Sequence, residues 1–364
     1  MKRYDYLIVG AGLFGSVFAQ IATERGKSCL VIDKRDHIGG SCYTKGVGGI
    51  QVHAYGPHIF HTSDEKVWTY INTFSKFTRF TNAPIAIYEG QSYNLPFNMN
   101  TFAKIYGITT PDEAIERIRK DITFSGSPAN LEEKAISLVG DRIYRMLVKG
   151  YTEKQWGKDC TELPPDIIGR LPLRFSYSND YFNDKYEGIP EEGYTKIFEK
   201  LLAGADVMLS TPFDKSFKSI ADTIIYTGKI DEYYGYEFGV LEYRSLRFEE
   251  SLLTDVENYQ GNAVVNYTER SIPFTRIVEH KHFNLNPSPT PYTVITREYP
   301  ELHNENNDPY YPIPSERNRV LYAKYKQISA HSKNVVFAGR TGDYRYYDMD
   351  DTISNAIELA EKLI

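Results

Sequence analysis

Gly10-Ala-Gly12-Leu-Phe-Gly15 decides how this chain is read. It follows a short apolar run, residues 4–9, and opens a segment, residues 13–23, whose apolar and small residues recur at helical spacing. Strand, glycine turn and helix make the first half of a βαβ unit. In GxGxxG the first glycine permits the turn, the second lets backbone approach a pyrophosphate, and the third lets helix pack on strand. Phosphates then rest on the helix N-terminus, where N–H groups and the helix dipole favour negative charge. Ser28-Cys-Leu-Val-Ile32 reads as the next buried strand. It ends at Asp33, placed to accept hydrogen bonds from the adenosine ribose hydroxyls.

Working outward, Pro84-Ile-Ala-Ile-Tyr88, Glu89-Gly90 and Gln91-Ser-Tyr93 read as a hairpin. Residues 101–150 have helical character, with helix starts near Pro111 and Leu131. Residues 163–186, rich in proline and aromatics, read as a long irregular stretch of the kind that forms lids. A helix is expected over residues 194–202, a strand over 221–228, and an antiparallel sheet from short runs over 238–296. Residues 284–291 form a surface loop by composition. Asn334-Val-Val-Phe-Ala-Gly339 is a last buried strand, with a helix from about Asp351 to Ile364. The dinucleotide pattern therefore opens and closes the chain, with other units between.

Composition narrows the function classes. The 364 residues carry a net charge of −6, which gives no support for nucleic-acid binding but leaves room for an anionic small substrate. Cys29, Cys42 and Cys160 have no CxxC spacing, so neither a zinc site nor a disulfide framework is expected, and a reducing compartment fits. No metal, no membrane span and a cytoplasmic location are expected. Thirty tyrosines suit sugar and base binding, since each joins a flat apolar face to a hydroxyl.

After Asp33 comes Lys34-Arg35-Asp-His-Ile-Gly39-Gly40, a second glycine pair that resembles the fingerprint of FAD-dependent oxidases and their relatives. The Val335-Val-Phe-Ala-Gly339 strand is similar to the element near the flavin in that superfamily. FAD is the cofactor these features predict. Further segments extend the likeness. Tyr55-Gly-Pro-His58-Ile-Phe-His61-Thr, Asn94-Leu-Pro-Phe-Asn-Met-Asn-Thr and Gly150-Tyr-Thr-Glu-Lys-Gln-Trp-Gly157 come first. Leu241-Glu-Tyr-Arg-Ser-Leu-Arg247-Phe, Gln260-Gly-Asn-Ala-Val-Val-Asn266-Tyr, Thr275-Arg276-Ile-Val-Glu-His-Lys-His-Phe and Tyr344-Arg-Tyr346-Tyr-Asp348-Met follow. In order and spacing they resemble the bacterial UDP-galactopyranose mutase family over nearly the whole length.

That resemblance implies interconversion of UDP-galactopyranose and UDP-galactofuranose with reduced FAD and no net redox. Flavin N5 attacks the anomeric carbon, UDP leaves, the sugar ring opens and recloses on the flavin adduct, and UDP returns. It implies an α/β fold in which residues 1–77, 193–232 and 318–364 form a Rossmann-like FAD-binding domain. An inserted helical domain, residues 97–186, carries a mobile substrate loop, and residues 78–96 and 233–317 form an antiparallel sheet substrate domain. It also implies a homodimer serving cell-surface polysaccharide synthesis.

Carried over position by position, the resemblance puts Arg170 on the mobile loop and lets Arg276 reach the diphosphate, where guanidinium groups stabilise the leaving group. Arg174 shares the loop stretch. His61 is a candidate for positioning near N5. Asn82, Tyr151, Thr152, Trp156, Tyr181, Arg247, Asn266, Tyr311, Arg340 and Tyr346 match substrate positions. The flavin would lie against Gly10, Gly12, Leu13, Phe14, Gly15, Asp33, Lys34, Gly39, Gly40, His58, Ile59, Gly339, Arg340, Tyr347, Asp348, Met349 and Ile353. The helix near Asp351 would direct its N-terminus at the flavin pyrimidine edge, where reduction places negative charge. Ser41-Cys42 and Arg340-Thr-Gly-Asp depart from the family pattern, which bears on the sugar more than on the reaction type. The same chemistry on a dTDP-6-deoxyhexose or UDP-N-acetylgalactosamine is the first alternative. A flavin oxidase and a non-catalytic nucleotide-sugar sensor are further ones.

Overall fold

The apolar run after Arg3 forms the strand Tyr4–Val9, and the glycine turn feeds it into helix Leu13–Glu24. Five strands lie parallel in the order Asp206–Met208, Cys29–Ile32, Tyr4–Val9, Ala221–Tyr226, Val335–Phe337. Cys29–Ile32 is buried at every residue, which is why it reads as an unbroken apolar run. The computed structural model describes residues 3–168, 173–284, 290–332 and 334–364. The chain divides into two units. The first holds the parallel sheet and comprises Met1–Arg79, Asp184–Tyr243 and Pro309–Ile364.

One layer of that sheet is covered by three helices drawn from distant parts of the chain. Leu13–Glu24, Tyr194–Leu201 and Met349–Leu363 share a core in which Phe14, Val17 and Phe18 pack with Ile197, Phe198, Ile353, Ala356 and Ala360. At Gly15 helix and strand meet backbone to backbone: a Cβ there would lie 2.1 Å from the Gly10 carbonyl oxygen and 2.9 Å from Ile8 Cγ2. A small antiparallel set, Phe60–Thr62 and Phe77–Thr78 on either side of Tyr186–Pro190, carries His61 opposite Glu187.

The second unit, Phe80–Asn183 with Arg244–Asp308, contains the expected hairpin, Ile85–Tyr88 and Gln91–Asn94, turning at Glu89 and Gly90 with both φ positive. Its sheet runs Gln91–Asn94, Ile85–Tyr88, Val264–Tyr267, Arg276–Glu279, Thr293–Leu302, Tyr243–Leu253. The pairing is antiparallel except between Val264–Tyr267 and Ile85–Tyr88, which run parallel. That exception arises because the two strands come from segments almost 180 residues apart, with no turn to dictate direction.

The helical stretch is broken into pieces with legible causes. Met99–Tyr106 starts at an Asn98 cap, Pro111–Asp121 at a Thr110–Glu113 capping box, and Leu131–Ile143 at an Asn130 cap. Gly140 leaves the helical region (φ 79°, ψ 162°), and a Cβ there would lie 2.7 Å from Asp121 Cβ, so the close helix contact demands glycine. Tyr144–Lys149 is wound as π-helix before Gly150–Trp156 resumes α-winding. Phe102, Ile118, Ala135, Val139 and Tyr144 form the core beneath. Among its described residues the irregular stretch contains one 3₁₀ turn, Pro165–Ile168, and it ends at strand Tyr186–Pro190. Among the described residues no helix is long and apolar enough to cross a membrane.

Candidate active site

In the first unit the sequence-predicted cofactor residues converge. Gly10 adopts φ +112°, and Gly12 precedes a helix that no side chain caps and whose first turn carries no acid. The N–H groups at that end are left for an anion. Asp33 is buried; its Oδ2 accepts the Ala11 N–H at 2.8 Å and its Oδ1 the Arg35 N–H at 2.9 Å. Each oxygen keeps a lone pair for a ribose hydroxyl. Gly39 donates its N–H to the Ala11 carbonyl at 2.8 Å, and a Cβ on Gly40 would sit 2.9 Å from Gly12 Cα. The second glycine pair is thus folded onto the first, forming a cradle of bare backbone that fits a dinucleotide pyrophosphate. Lys34 stands exposed at its rim.

The end of the chain returns to the same place. A Cβ on Gly339 would touch Phe14 Cβ at 3.4 Å, and Cys42 Sγ lies 3.8 Å from Met349 Sδ. Burial pushes the Cys42 thiol up to about 12, with Arg340 pulling the other way, so the thiol stays protonated and inert. Leu13 is half-buried beside Phe14, and Ile353 is fully buried in the same core. The last helix begins at Met349, preceded by Asp348, and bears Asp350 and Asp351 in its first turn. Burial raises the Asp350 carboxyl, with Thr62 and His61 opposing.

His58 has Nδ1 2.9 Å from the Gly56 carbonyl and gives its N–H to His53 Nδ1 at 3.1 Å, beside buried Ile59. His61 Nδ1 is 2.7 Å from Asp184 Oδ2, and Ser63 donates to the other oxygen. Tyr311 and Tyr346 stack at 5.9 Å, with the Arg340 guanidinium 5.9 Å above Tyr346. Tyr347 donates to Asp343 at 3.2 Å.

In the second unit the register brings three polar residues to one face of the sheet. Arg276 stands directly opposite Asn266 on one side and Glu298 on the other. Arg276 Nε donates to Glu298 Oε2 at 2.8 Å, and the Glu298 side chain is only 1% exposed. Glu298 Oε1 and Asn266 Oδ1 are buried acceptors with no hydrogen-bond partner among the described residues. Burial raises the Tyr181 phenol, and the Arg276 charge pulls it back, so the two groups are neighbours. Tyr181 gives its N–H to the Asn82 carbonyl at 2.8 Å. Tyr151, Thr152 and Trp156 lie half-buried on Gly150–Trp156, with Trp156 partly against the helical core.

Two candidates stand apart. Arg247 is paired with Glu249 and Glu301 and lies 4.1 Å over the Tyr299 ring. Since Phe248 is the residue opposite Glu298 and Arg247 is opposite Tyr299, alternation puts Arg247 on the other face of the sheet from Arg276. Arg174 spends its guanidinium on the Tyr181 and Phe182 carbonyls and Asn183 Oδ1, pinning its own loop. Arg170 lies outside the described residues, as do residues 285–289 of the composition-predicted loop.

Sequence reasoning passed over Glu298, Asp184, Lys154 and Arg244. Glu298 had a signal, because it shares parity with Val294 and Thr296 in a β-rich run and so points inward. Asp184 had none, since only folding brings it to His61. Among the described residues no cluster of His, Cys, Asp or Glu could hold a metal, and the three cysteines are free.

A family model described as UDP-galactopyranose mutase matches residues 146–346, and one for an NAD(P)-binding Rossmann-like domain matches residues 8–74. The chain is 39% identical over 370 residues to a probable UDP-galactopyranose mutase of Klebsiella pneumoniae, covering all of this chain and 96% of the relative. This chain belongs to the UDP-galactopyranose mutase family. As a member of that family it is an enzyme, an isomerase whose substrate is a nucleotide sugar. It is also 37% identical to dTDP-fucopyranose mutase of Escherichia coli, with 98% of each chain covered. The fold agrees with a crystal structure of reduced UDP-galactopyranose mutase, at TM-score 0.76 and 15% identity, covering 99% of this chain and 95% of that one. The mutase-family fold is therefore the Rossmann-like α/β arrangement with an added sheet and helices that the sequence predicts.

Proposed function

We propose that this enzyme interconverts UDP-galactopyranose and UDP-galactofuranose, with FAD in its reduced form as resident cofactor and no net redox. When bound and reduced, FAD supplies a nucleophilic N5 for the anomeric carbon. The observation that carries the reading is the Arg276–Glu298 pair beside two buried acceptors, Glu298 Oε1 and Asn266 Oδ1, that have no partner among the described residues. A buried acceptor without a donor is costly, and a sugar's hydroxyls are donors of the right kind. A guanidinium beside these acceptors brings donors for phosphate oxygens and acceptors for sugar hydroxyls to one place.

In this reading Arg276 and Arg170 hold the negative charge on the diphosphate as the bond from anomeric carbon to phosphate oxygen breaks and re-forms. Within the first unit, Tyr311, Tyr346 and Arg340, whose guanidinium lies beside the Tyr346 ring, are assigned to substrate binding. Trp156, Tyr151, Thr152, Tyr181, Asn82 and Asn266 line the sugar and base site. Asp33 takes the adenosine ribose, and the uncapped helix at Gly12 takes the pyrophosphate. His61, whose Nδ1 meets Asp184 Oδ2 at 2.7 Å, is the residue this reading assigns to positioning near flavin N5. The enzyme works as a cytoplasmic homodimer supplying cell-surface polysaccharide synthesis.

A second reading keeps the chemistry and changes the sugar to a dTDP-6-deoxyhexose. It is favoured by the 37% identity to dTDP-fucopyranose mutase, close to the 39% shared with the Klebsiella relative. The deciding experiment is a panel of UDP- and dTDP-sugars incubated with dithionite-reduced enzyme, with pyranose and furanose products resolved by chromatography. Furanose from UDP-galactose alone supports the first reading and furanose from the dTDP-sugar alone the second. Oxygen consumption with an amine and no sugar turnover overturns both.

A further inference from the structure

Lys154 and Arg244 hold one short helix by its main-chain surroundings. The Lys154 ammonium donates to the Tyr267 carbonyl at 2.7 Å and the Phe274 carbonyl at 2.9 Å. Tyr267 is the residue after Asn266, and Phe274 lies two residues before Arg276. Arg244, buried in the neighbouring sheet, donates from Nε to the Gln155 carbonyl at 2.8 Å and from Nη2 to the Lys154 carbonyl at 3.3 Å. It thereby takes up carbonyls that the helix end leaves open. Two glycines let the clamp close. A Cβ on Gly150 would lie 2.3 Å from the Thr268 carbonyl oxygen, and one on Gly157 would lie 2.8 Å from Arg244 Nη1.

Glu153 adds a further tie on the same helix, accepting from Arg270 Nη1 at 3.0 Å and from the Cys160 N–H at 3.4 Å. The π-turn before it, Tyr144–Lys149, uncouples its direction from the long helix upstream. Of its seven residues only Glu153 is fully buried, so apolar packing contributes little. Desolvating two cations to bond neutral carbonyls is a weak source of net stability. Burial already draws the Lys154 ammonium down to about 8, with Glu269 opposing. Such an arrangement gains geometry rather than stability.

We propose that Lys154 and Arg244 are positioning residues for the nucleotide sugar. They lock the helix bearing Tyr151, Thr152 and Trp156 to the strand ends bearing Asn266 and Arg276. The inference rests on the reading of those five residues as the nucleotide-sugar site. Neither cation touches the substrate; each acts through the helix.

The test is titration of UDP into the purified flavoprotein, with steady-state turnover of the reduced enzyme alongside. Wild type, Lys154→Met, Lys154→Arg and Arg244→Gln are compared. Lys154→Met is expected to raise the UDP Kd and the sugar-nucleotide KM about tenfold, the equivalent of one lost charge-assisted bond. Flavin content and kcat stay within about threefold of wild type on the same scale, and Lys154→Arg, which keeps the donors, recovers most of the affinity. Arg244→Gln changes Kd and KM in the same direction and covers the case in which Lys154→Met does not fold. Unchanged Kd and KM in the folded variants, or a fall in kcat alone as from loss of active enzyme, overturns the proposal. Failure of both variants to fold makes the cations requirements of folding and overturns it too. If wild type does not bind UDP, the site reading falls and this inference with it; wild-type binding with unaffected variants sinks this inference alone.

Discussion

Arg276→Ala separates what the buried pair does for the fold from what it does for the reaction. The substitution removes the donor on Glu298 Oε2 and leaves a carboxylate, 1% exposed, whose Oε1 already has no partner among the described residues. Breaking a buried pair from one side costs about 3–5 kcal/mol. Arg276 itself is 23% exposed, so water reaches part of the site and the cost falls near about 3 kcal/mol. Loss of the charge at the diphosphate costs turnover about 10²–10³-fold, the scale of removing one electrostatic donor from a reaction centre. The two losses are separable. Arg276→Ala with Glu298→Gln puts a neutral amide where the carboxylate was, and is expected to regain about 2 kcal/mol of stability but none of the turnover. Urea unfolding gives the first number, and product chromatography with reduced enzyme gives the second. Flavin content should be unchanged throughout. An Arg276→Ala protein as stable as wild type, or a double variant that turns over, refutes the argument.

Two other predictions follow from particular contacts. Gly15→Ala drives a methyl to 2.1 Å from a backbone oxygen that cannot yield, so the purified protein should lose its visible flavin absorption. Gly46→Ala, which meets nothing within 4 Å, should keep it. Glu279 is fully buried; burial raises its carboxyl, but bonds from His282 and the N–H groups of Tyr259 and Gln260 outweigh this and hold it at about 2. Its folded value is depressed, so its stabilisation of about 3 kcal/mol is present above pH 4.5 and lost as pH falls toward 2. Glu279→Gln should flatten that part of the stability–pH curve, and an unaltered slope would count against the assignment.

Much of the first unit was legible because its determinants are local. The glycine spacing, the unbroken apolar run at Cys29–Ile32 and the acid at its end each act within a few residues. The capped helices at Thr110 and Asn130 were legible for the same reason. What escaped was made by register and by distance. Nothing near Arg247 says that alternation sends it away from Arg276, because its parity depends on a partner strand about 50 residues later. The parallel pairing of Val264–Tyr267 with Ile85–Tyr88 was hidden likewise, as was the π-turn inside what reads as plain helix. Glu298 shows the intermediate case: its inward parity was readable, but its partner was not.

The first unit's sheet has a consequence for how the protein comes into being. Its central strand, Tyr4–Val9, has as neighbour Ala221–Tyr226, more than 200 residues later in the sequence, and Val335–Phe337 follows later still. Thr227 donates to the Val9 carbonyl at 2.7 Å, and Tyr6 reaches the Leu363 carbonyl at 3.0 Å. Until Ala221–Tyr226 has been made, the strand beside the glycine loop keeps one apolar edge unpaired, and such open edges invite wrong pairing. Contacts this distant in sequence also close slowly. Chains cut short before residue 335 should accumulate as chaperone clients rather than as partly active enzyme. For the cell, this architecture ties quality control of the sheet to segments made long after its central strand.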